Sequence, residues 1–209
     1  MQAGKELLEH FRSMGDAANR ISLTATSQSQ TVTGKVVIAA TNVMATNFLP
    51  PVLKDLRTTA PELQIEIIAS NEMSDLRRRE ADISIRHTRP QDENLIAKCL
   101  RDTTAQLYAS TQYLDEVGRP SDTADLAKLQ FVGFDDPERR LGLMASRGIN
   151  LTTANFNFLT ASGTLSLALI RQGFGIGILP IEIGEAYPEL EKPFPAFKQL
   201  KIETWLVAH

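Results

Sequence analysis

The sequence is poor in several things, and each shortage removes a class of protein. Its 209 residues hold one cysteine, Cys99, which excludes an internal disulfide framework and a zinc site built on several thiolates. The three histidines, His10, His87 and His209, stand far apart with no ligand spacing around them, so no metal is expected at His87. Basic residues do not outnumber acidic ones: 22 Lys and Arg face 25 Asp and Glu, a formal net charge of −3. Chains that grip phosphates over a wide surface are usually basic, so these residues are a poor candidate for binding DNA by themselves. No apolar run is long enough to span a bilayer. The start, MQAGKELLEHFRSMG, lacks the basic-then-apolar order of a signal peptide. A cytoplasmic location with no membrane partner is therefore expected.

Catalytic signatures are missing too. There is no G-x-S-x-G elbow, no Walker loop and no H-E-x-x-H, and Asp135-Asp136 before Pro137 reads as a turn. No catalytic residue and no cofactor are expected. Cys99 lies in an apolar run and reads as a buried small hydrophobe.

What is present is an ordinary globular composition, 43% hydrophobic and 22% charged, enough for one or two domains. Leu7, Phe11, Met14, Ala18 and Ile21 are spaced four, three, four, three, the seam of a short coiled coil over residues 3–25. A polar linker, SQSQTVTG, follows. KVVIAA (35–40) reads as a buried strand, 46–59 as a helix with Pro50 and Pro51 in its first turn, and LQIEIIAS (63–70) as a strand. A short helix over 73–80 and the strand ADISIR (81–86) complete a βαβαβ order, which implies a parallel sheet covered by helices. LIAKCL (95–100) and AQLYAS (105–110) read as two further strands. A second block begins near Thr111, with strands at 129–134, 156–162 and 200–208 and a helix over 163–173.

RQGFGIGILP (171–180) raises the question of a phosphate-binding loop. A dinucleotide fingerprint needs its glycines between a strand and the helix that follows. Here the helix comes first, so Gly173 falls where a left-handed C-cap is wanted. Gly175 and Gly177 fall on a following strand, where a missing side chain admits another backbone or a ligand.

That segment resembles the GxGIxxLP stretch in the effector-binding domain of LysR-type transcriptional regulators. GKVVIAAT with FLPPVLKDLRTTAPELQIEI, READISIRHT and LYASTQYL resemble other stretches of that domain in the same order, and residues 3–25 resemble its linker helix. The resemblance implies an α/β fold of two Rossmann-like lobes joined by two crossing strands, similar to type II periplasmic binding proteins. It places a linker and dimerisation helix at 1–30, lobe I at 34–109 completed by 204–209, and lobe II at 110–203, with crossings near Ala109 and Thr204. The family's N-terminal winged helix-turn-helix has no counterpart in these residues, and neither do its last helices. A fragment of a longer regulator is therefore expected, with DNA bound only through the missing domain.

The resemblance also implies an effector in the cleft between lobes, beyond the C-terminal ends of strands. Thr41 and Asn42 follow the first strand, where Thr41 either caps its own helix or lines the cleft. Ser70 and Asn71 end the second strand, as a simple loop or as part of the wall. Arg86 and His87 end the third. Arg86 can fork a carboxylate or pair with Glu80 or Asp82, and His87 can donate a hydrogen bond. Thr160, Ser162 and Gly163 begin the helix of the second lobe, and Gly177 and Ile178 belong to the glycine strand. Phe134 is core or an apolar wall. Two helix N-termini with an Arg or His favour a small anion, a carboxylate in the first instance. Self-association into a homodimer or homotetramer is expected through the coiled-coil seam and through outward residues of the two helices, including Leu53, Arg57 and Ile170. The alternative is a transporter's solute-binding protein of the same fold. An enzyme on this fold would need a nucleophile or base that the sequence does not offer.

Overall fold

A computed structural model describes residues 32–71, 81–90, 92, 95–134 and 136–208, with the backbone alone at 101, 134 and 137. The coiled-coil residues Leu7, Phe11, Met14, Ala18 and Ile21 and the helix expected over 73–80 lie outside that set.

The first strand, β1 (Gly34–Ala40), is buried toward its end, and α1 (Asn42–Asn47) follows at once. The single helix expected over 46–59 is two. Phe48, with φ −112° and ψ −34°, ends α1 and begins α2 (Leu49–Thr59), and Pro50 and Pro51 occupy the first turn of α2, where no N–H is needed. Next come β2 (Leu63–Ala69) and β3 (Ile83–Arg86), each parallel to β1.

The strand after them, β4, runs unbroken from Ile96 to Ser110. The two strands expected there are one, because its polar middle keeps pairing across a bulge between Cys99 and Arg101. Thr103 in that middle is buried, its hydroxyl donating to the Glu182 carboxylate at 2.7 Å. The second block supplies α3 (Thr111–Val117), α4 (Thr123–Leu126), β5 (Val132–Phe134), α5 (Pro137–Ala145), β6 (Phe158–Thr160) and α6 (Gly163–Arg171). It closes with β7 (Gly177–Pro180), α7 (Ile181–Gly184), β8 (Leu190–Glu191) and β9 (Leu200–Ala208).

One seven-stranded sheet has the order β2-β1-β3-β9-β4-β7, with β8 added on β4. β5 and β6 form a separate parallel pair. Through Ala105, β4 pairs with β9, and from Ala105 onward it pairs with β7 and β8. Its far half is buried on both faces, as strand alternation requires. Leu107 and Ala109 enter a cluster with Leu114, Phe131, Met144 and Ile176, while Tyr108 enters another with Val132, Leu167, Ile170 and Leu179. A third cluster, of Ile38, Ala40, Met44, Leu49 and Ile85, lies beneath α1 and α2. Phe48 packs against both this cluster and that of Tyr108, so the joint between the two helices also joins the two halves.

Three expectations need correction. Cys99 is exposed, because the near half of β4 is open among the described residues, as 70% exposure at Ile96 shows. Ile170 does not face outward. It is fully buried, since its spacing from Leu167 puts both on the inner face of α6, leaving Leu165 as the exposed apolar residue. Leu53 leans on the cluster beneath α2, and its neighbour Val52 is the more exposed side chain.

The glycine stretch has three distinct jobs. Gly173 has φ +82°, and Phe174 N–H donates to the Leu169 carbonyl while Gly173 N–H donates to that of Ile170, a complete Schellman ending. A Cβ on Gly175 would sit 2.7 Å from the Gln130 carbonyl oxygen, at φ +143°. A Cβ on Gly177 would overlap the Ile170 side chain. The close neighbours are therefore a backbone and a core side chain. Gly175→Ala is expected to cost about 2–3 kcal/mol, read as a lowered midpoint in thermal or urea unfolding. An unchanged midpoint would mean that residues 130 and 175 are not in contact.

Candidate functional site

Three chain segments meet where β1, β2 and α6 end or begin. After β1, Thr41 adopts an extended backbone and its hydroxyl accepts from Met44 N–H at 3.4 Å, so it caps α1. The capping alternative for Thr41 is thus realised. Asn42 N–H instead donates to Asn71 Oδ1 at 3.2 Å.

After β2, Ser70 N–H continues the ladder to the Ala40 carbonyl at 2.9 Å. The Ser70 carbonyl accepts from Arg86 Nη1. Arg86 is 7% exposed, and its Nε donates to Ser84 Oγ at 2.9 Å. The guanidinium is thus tied to the end of β2 and to its own strand, and two of its donors are engaged by the protein. Asp82 accepts from Val37 N–H at 2.8 Å. His87 lies with Nδ1 3.4 Å from the Glu203 carbonyl, against β9.

From the other half, Thr160 Oγ1 accepts from Ser162 N–H at 3.0 Å. Ser162 Oγ accepts from Leu165 N–H at 3.3 Å and lies 2.9 Å from Thr164 Oγ1, a short chain of hydroxyls along the first turn of α6, where Gly163 is the first helical residue. Beside them the Ala161 carbonyl accepts from Asn71 Nδ2 at 2.5 Å. One side chain therefore spans from Asn42 to Ala161.

The structure brings Asn42, Ser70, Asn71 and Arg86 together with the turn that carries Thr160 and Ser162. Gly177 and Ile178 border a small apolar cavity with Phe131, Phe156, Met144 and Arg140, which no described residue of β1, β2 or β3 lines. The missing side chain of Gly177 makes room for Ile170. Sequence reasoning missed Ala161, because it takes part through a backbone carbonyl, and a carbonyl leaves no residue signature. Among the described residues no three His, Cys, Asp or Glu side chains gather as a metal site, and no helix is long and apolar enough to cross a membrane.

Comparison with known proteins agrees with this fold. A model of the LysR substrate binding domain matches residues 29–209. The chain belongs to the LysR substrate-binding-domain family, whose curated relatives are transcriptional regulators. It is 27% identical over 135 residues to the HTH-type transcriptional regulator CrgA of Neisseria meningitidis serogroup B, covering 64% of this chain and 45% of CrgA. An HTH-type transcriptional regulator of Xanthomonas campestris is 33% identical over 73 residues, 35% of this chain and 21% of that one. The chain thus spans less than half the length of these relatives. In three dimensions it is similar to the CrgA regulatory domain, with TM-score 0.74, 22% identity, and coverage of 85% of this chain and 90% of that one. The AmpR effector binding domain of Citrobacter freundii gives TM-score 0.70 at 18% identity, with 83% and 87% covered. These likenesses establish the two-lobed fold similar to type II periplasmic binding proteins.

Removing the Arg86 guanidinium leaves the Ser84 hydroxyl and the Ser70 carbonyl without that donor. Arg86→Ala is expected to cost about 3 kcal/mol, measured by chemical unfolding. Arg86→Lys should restore only part of it, because an ammonium cannot reproduce the planar fork. Equal stability of Arg86→Ala and the parent chain would refute the tie between β2 and β3.

Proposed function

We propose that this chain is the ligand-sensing and oligomerising region of a transcriptional regulator, with lobe I at 34–109 plus 204–209 and lobe II at 110–203. A small organic acid binds between the lobes, contacting residues among Thr41, Asn42, Ser70, Asn71, Thr160, Ser162 and Gly163, with His87 at the rim. The observation that carries this is the meeting of the β1 and β2 ends with the α6 turn at Asn71, across 90 residues of chain. A ligand there touches both lobes, so its binding energy depends on their separation. That dependence is what lets binding shift a population of arrangements. A DNA-binding domain preceding the chain would receive the shift, and the family membership and the helix-turn-helix names of the relatives support that reading. A transporter's solute-binding protein is the less favoured alternative for the same reason.

Pairing of subunits is part of the proposal. The seam from Leu7 to Ile21 supplies one contact. A second is formed by the exposed faces of α2 and β2, with Val52, Arg57 and Ile67, against α6 and β6, with Leu165 and Leu159. Val52, Leu165 and Leu159 are each at least half exposed, which is costly for apolar side chains left in water.

Two experiments check the reading. Titration with small carboxylic acids should raise the thermal midpoint. Saturation at a hundredfold excess over Kd contributes about 2.7 kcal/mol, or roughly 5–10 °C for a chain of this size. Stabilisation by neutral or cationic compounds alone would contradict the acid. In sedimentation, Leu165→Glu combined with Val52→Glu should reduce the assembly by at least one subunit, and an unaltered mass would refute this surface.

A further inference from the structure

We propose that the Asn71 side chain is a clasp that holds the two lobes together when no ligand is bound. Its position is fixed before its side chain is considered. The Ser70 N–H is held by the Ala40 carbonyl, and the Ser70 carbonyl by Arg86. Residue 71 therefore leaves the sheet at a set point beside α1. From there the carboxamide meets two partners of opposite kind. Asn42 offers a backbone donor, so Oδ1 must face it, and Ala161 offers a backbone acceptor, so Nδ2 must face that side. The pair dictates the orientation of the amide, and a flipped amide would meet donor with donor and acceptor with acceptor.

Residue type matters at this point. An aspartate would keep the bond from Asn42 N–H but set a carboxylate oxygen against the Ala161 carbonyl. An alanine would lose both bonds. The clasp acts beside an apolar contact, since Val43 and Phe48 of the first half pack against the Tyr108 cluster of the second. Burial there draws the halves together, and Asn71 fixes their register at the mouth, where burial has no directionality. A molecule entering between Asn42 and Ala161 has to take over both bonds, so clasp and ligand exclude one another. The role as the element a ligand displaces rests on the cleft being the ligand site. The two bonds of Asn71 involve protein groups alone, so an acid titration that fails leaves the clasp standing.

The test measures separation between lobes without ligand. Spin labels at Thr58→Cys on α2 and Gln172→Cys at the end of α6 report it, in a Cys99→Ser background because Cys99 is exposed, with the labelled chain diluted in excess unlabelled chain so that only distances within one chain are read. Both Asn71→Ala and Asn71→Asp should shift the distance distribution to longer values. Amide exchange separates the two bonds: the Asn42 amide should exchange about tenfold faster in Asn71→Ala and stay protected in Asn71→Asp. Distances equal to the parent chain in either variant would overturn the proposal, even if one of them opens. If Asn71→Ala does not fold, Asn71→Asp decides alone, since it keeps the bond within lobe I.

Discussion

The antiparallel pairing of β4 with β9 is the constraint on which everything else in this molecule depends. Ile96 faces Ala208, and Ala105 faces Leu200. β9 also pairs with β3, so the last described strand of the chain completes the sheet begun by β1. Beyond Ala105 the same β4 exchanges β9 for β7 and carries the chain into the second half. One strand, β4, thus carries ladders of both halves, and β9 ties its near part to β3. Relative motion of the halves has to be absorbed by bending this ribbon, because unpairing it would expose backbone groups on both sides. The bulge between Cys99 and Arg101 lies within it, a point where the ladder is already interrupted.

The meeting of the β1 and β2 ends with the first turn of α6 follows from that geometry. Parallel strands β1 and β2 present their C-terminal ends toward the same side, and α1 and α2 connect them. The far half brings the first turn of α6 to face them. Polar backbone groups at such ends lack partners inside their own elements. The chain satisfies some of them locally, through Thr41 on Met44 and Ser162 on Leu165. It satisfies Asn42 N–H and the Ala161 carbonyl with a side chain from a third segment. A cleft whose polar groups are provisionally satisfied costs little when empty and offers replaceable bonds to an incoming molecule.

Much of this was legible in the residues. The βαβ order of the first half came from apolar runs of strand length separated by a helical stripe, and the first turn of α2 came from its prolines. Gly173 was legible because a helix that ends in a Schellman turn demands positive φ. Other features were hidden for physical reasons. Asp102, Thr103 and Thr104 looked like a break between strands, yet threonine suits a strand and Thr103 found Glu182 as a buried partner. Ile170 was assigned outward from the family's helix surface, while its own spacing with Leu167 pointed inward. Cys99 sits in an apolar run whose face stays open, and a run reports hydrophobicity without reporting which face is covered. The order Thr41, Asn42, Ser70, Asn71 and Arg86 at strand ends was read from topology. Thr41 as a helix cap was read as well, but the contacts of Arg86 and Asn71 were not, because each turns to a carbonyl and carbonyls are everywhere in a sequence.

The central claim is that a ligand occupies the space between the ends of β1 and β2 and the first turn of α6. Amide exchange on this chain, with and without the acid that raises its midpoint most, tests this directly. The claim predicts slowed exchange confined to 41–45, 70–71 and 161–166, from both halves together. Slowing in one half alone, or at the small cavity under α5 with those segments unchanged, would contradict it.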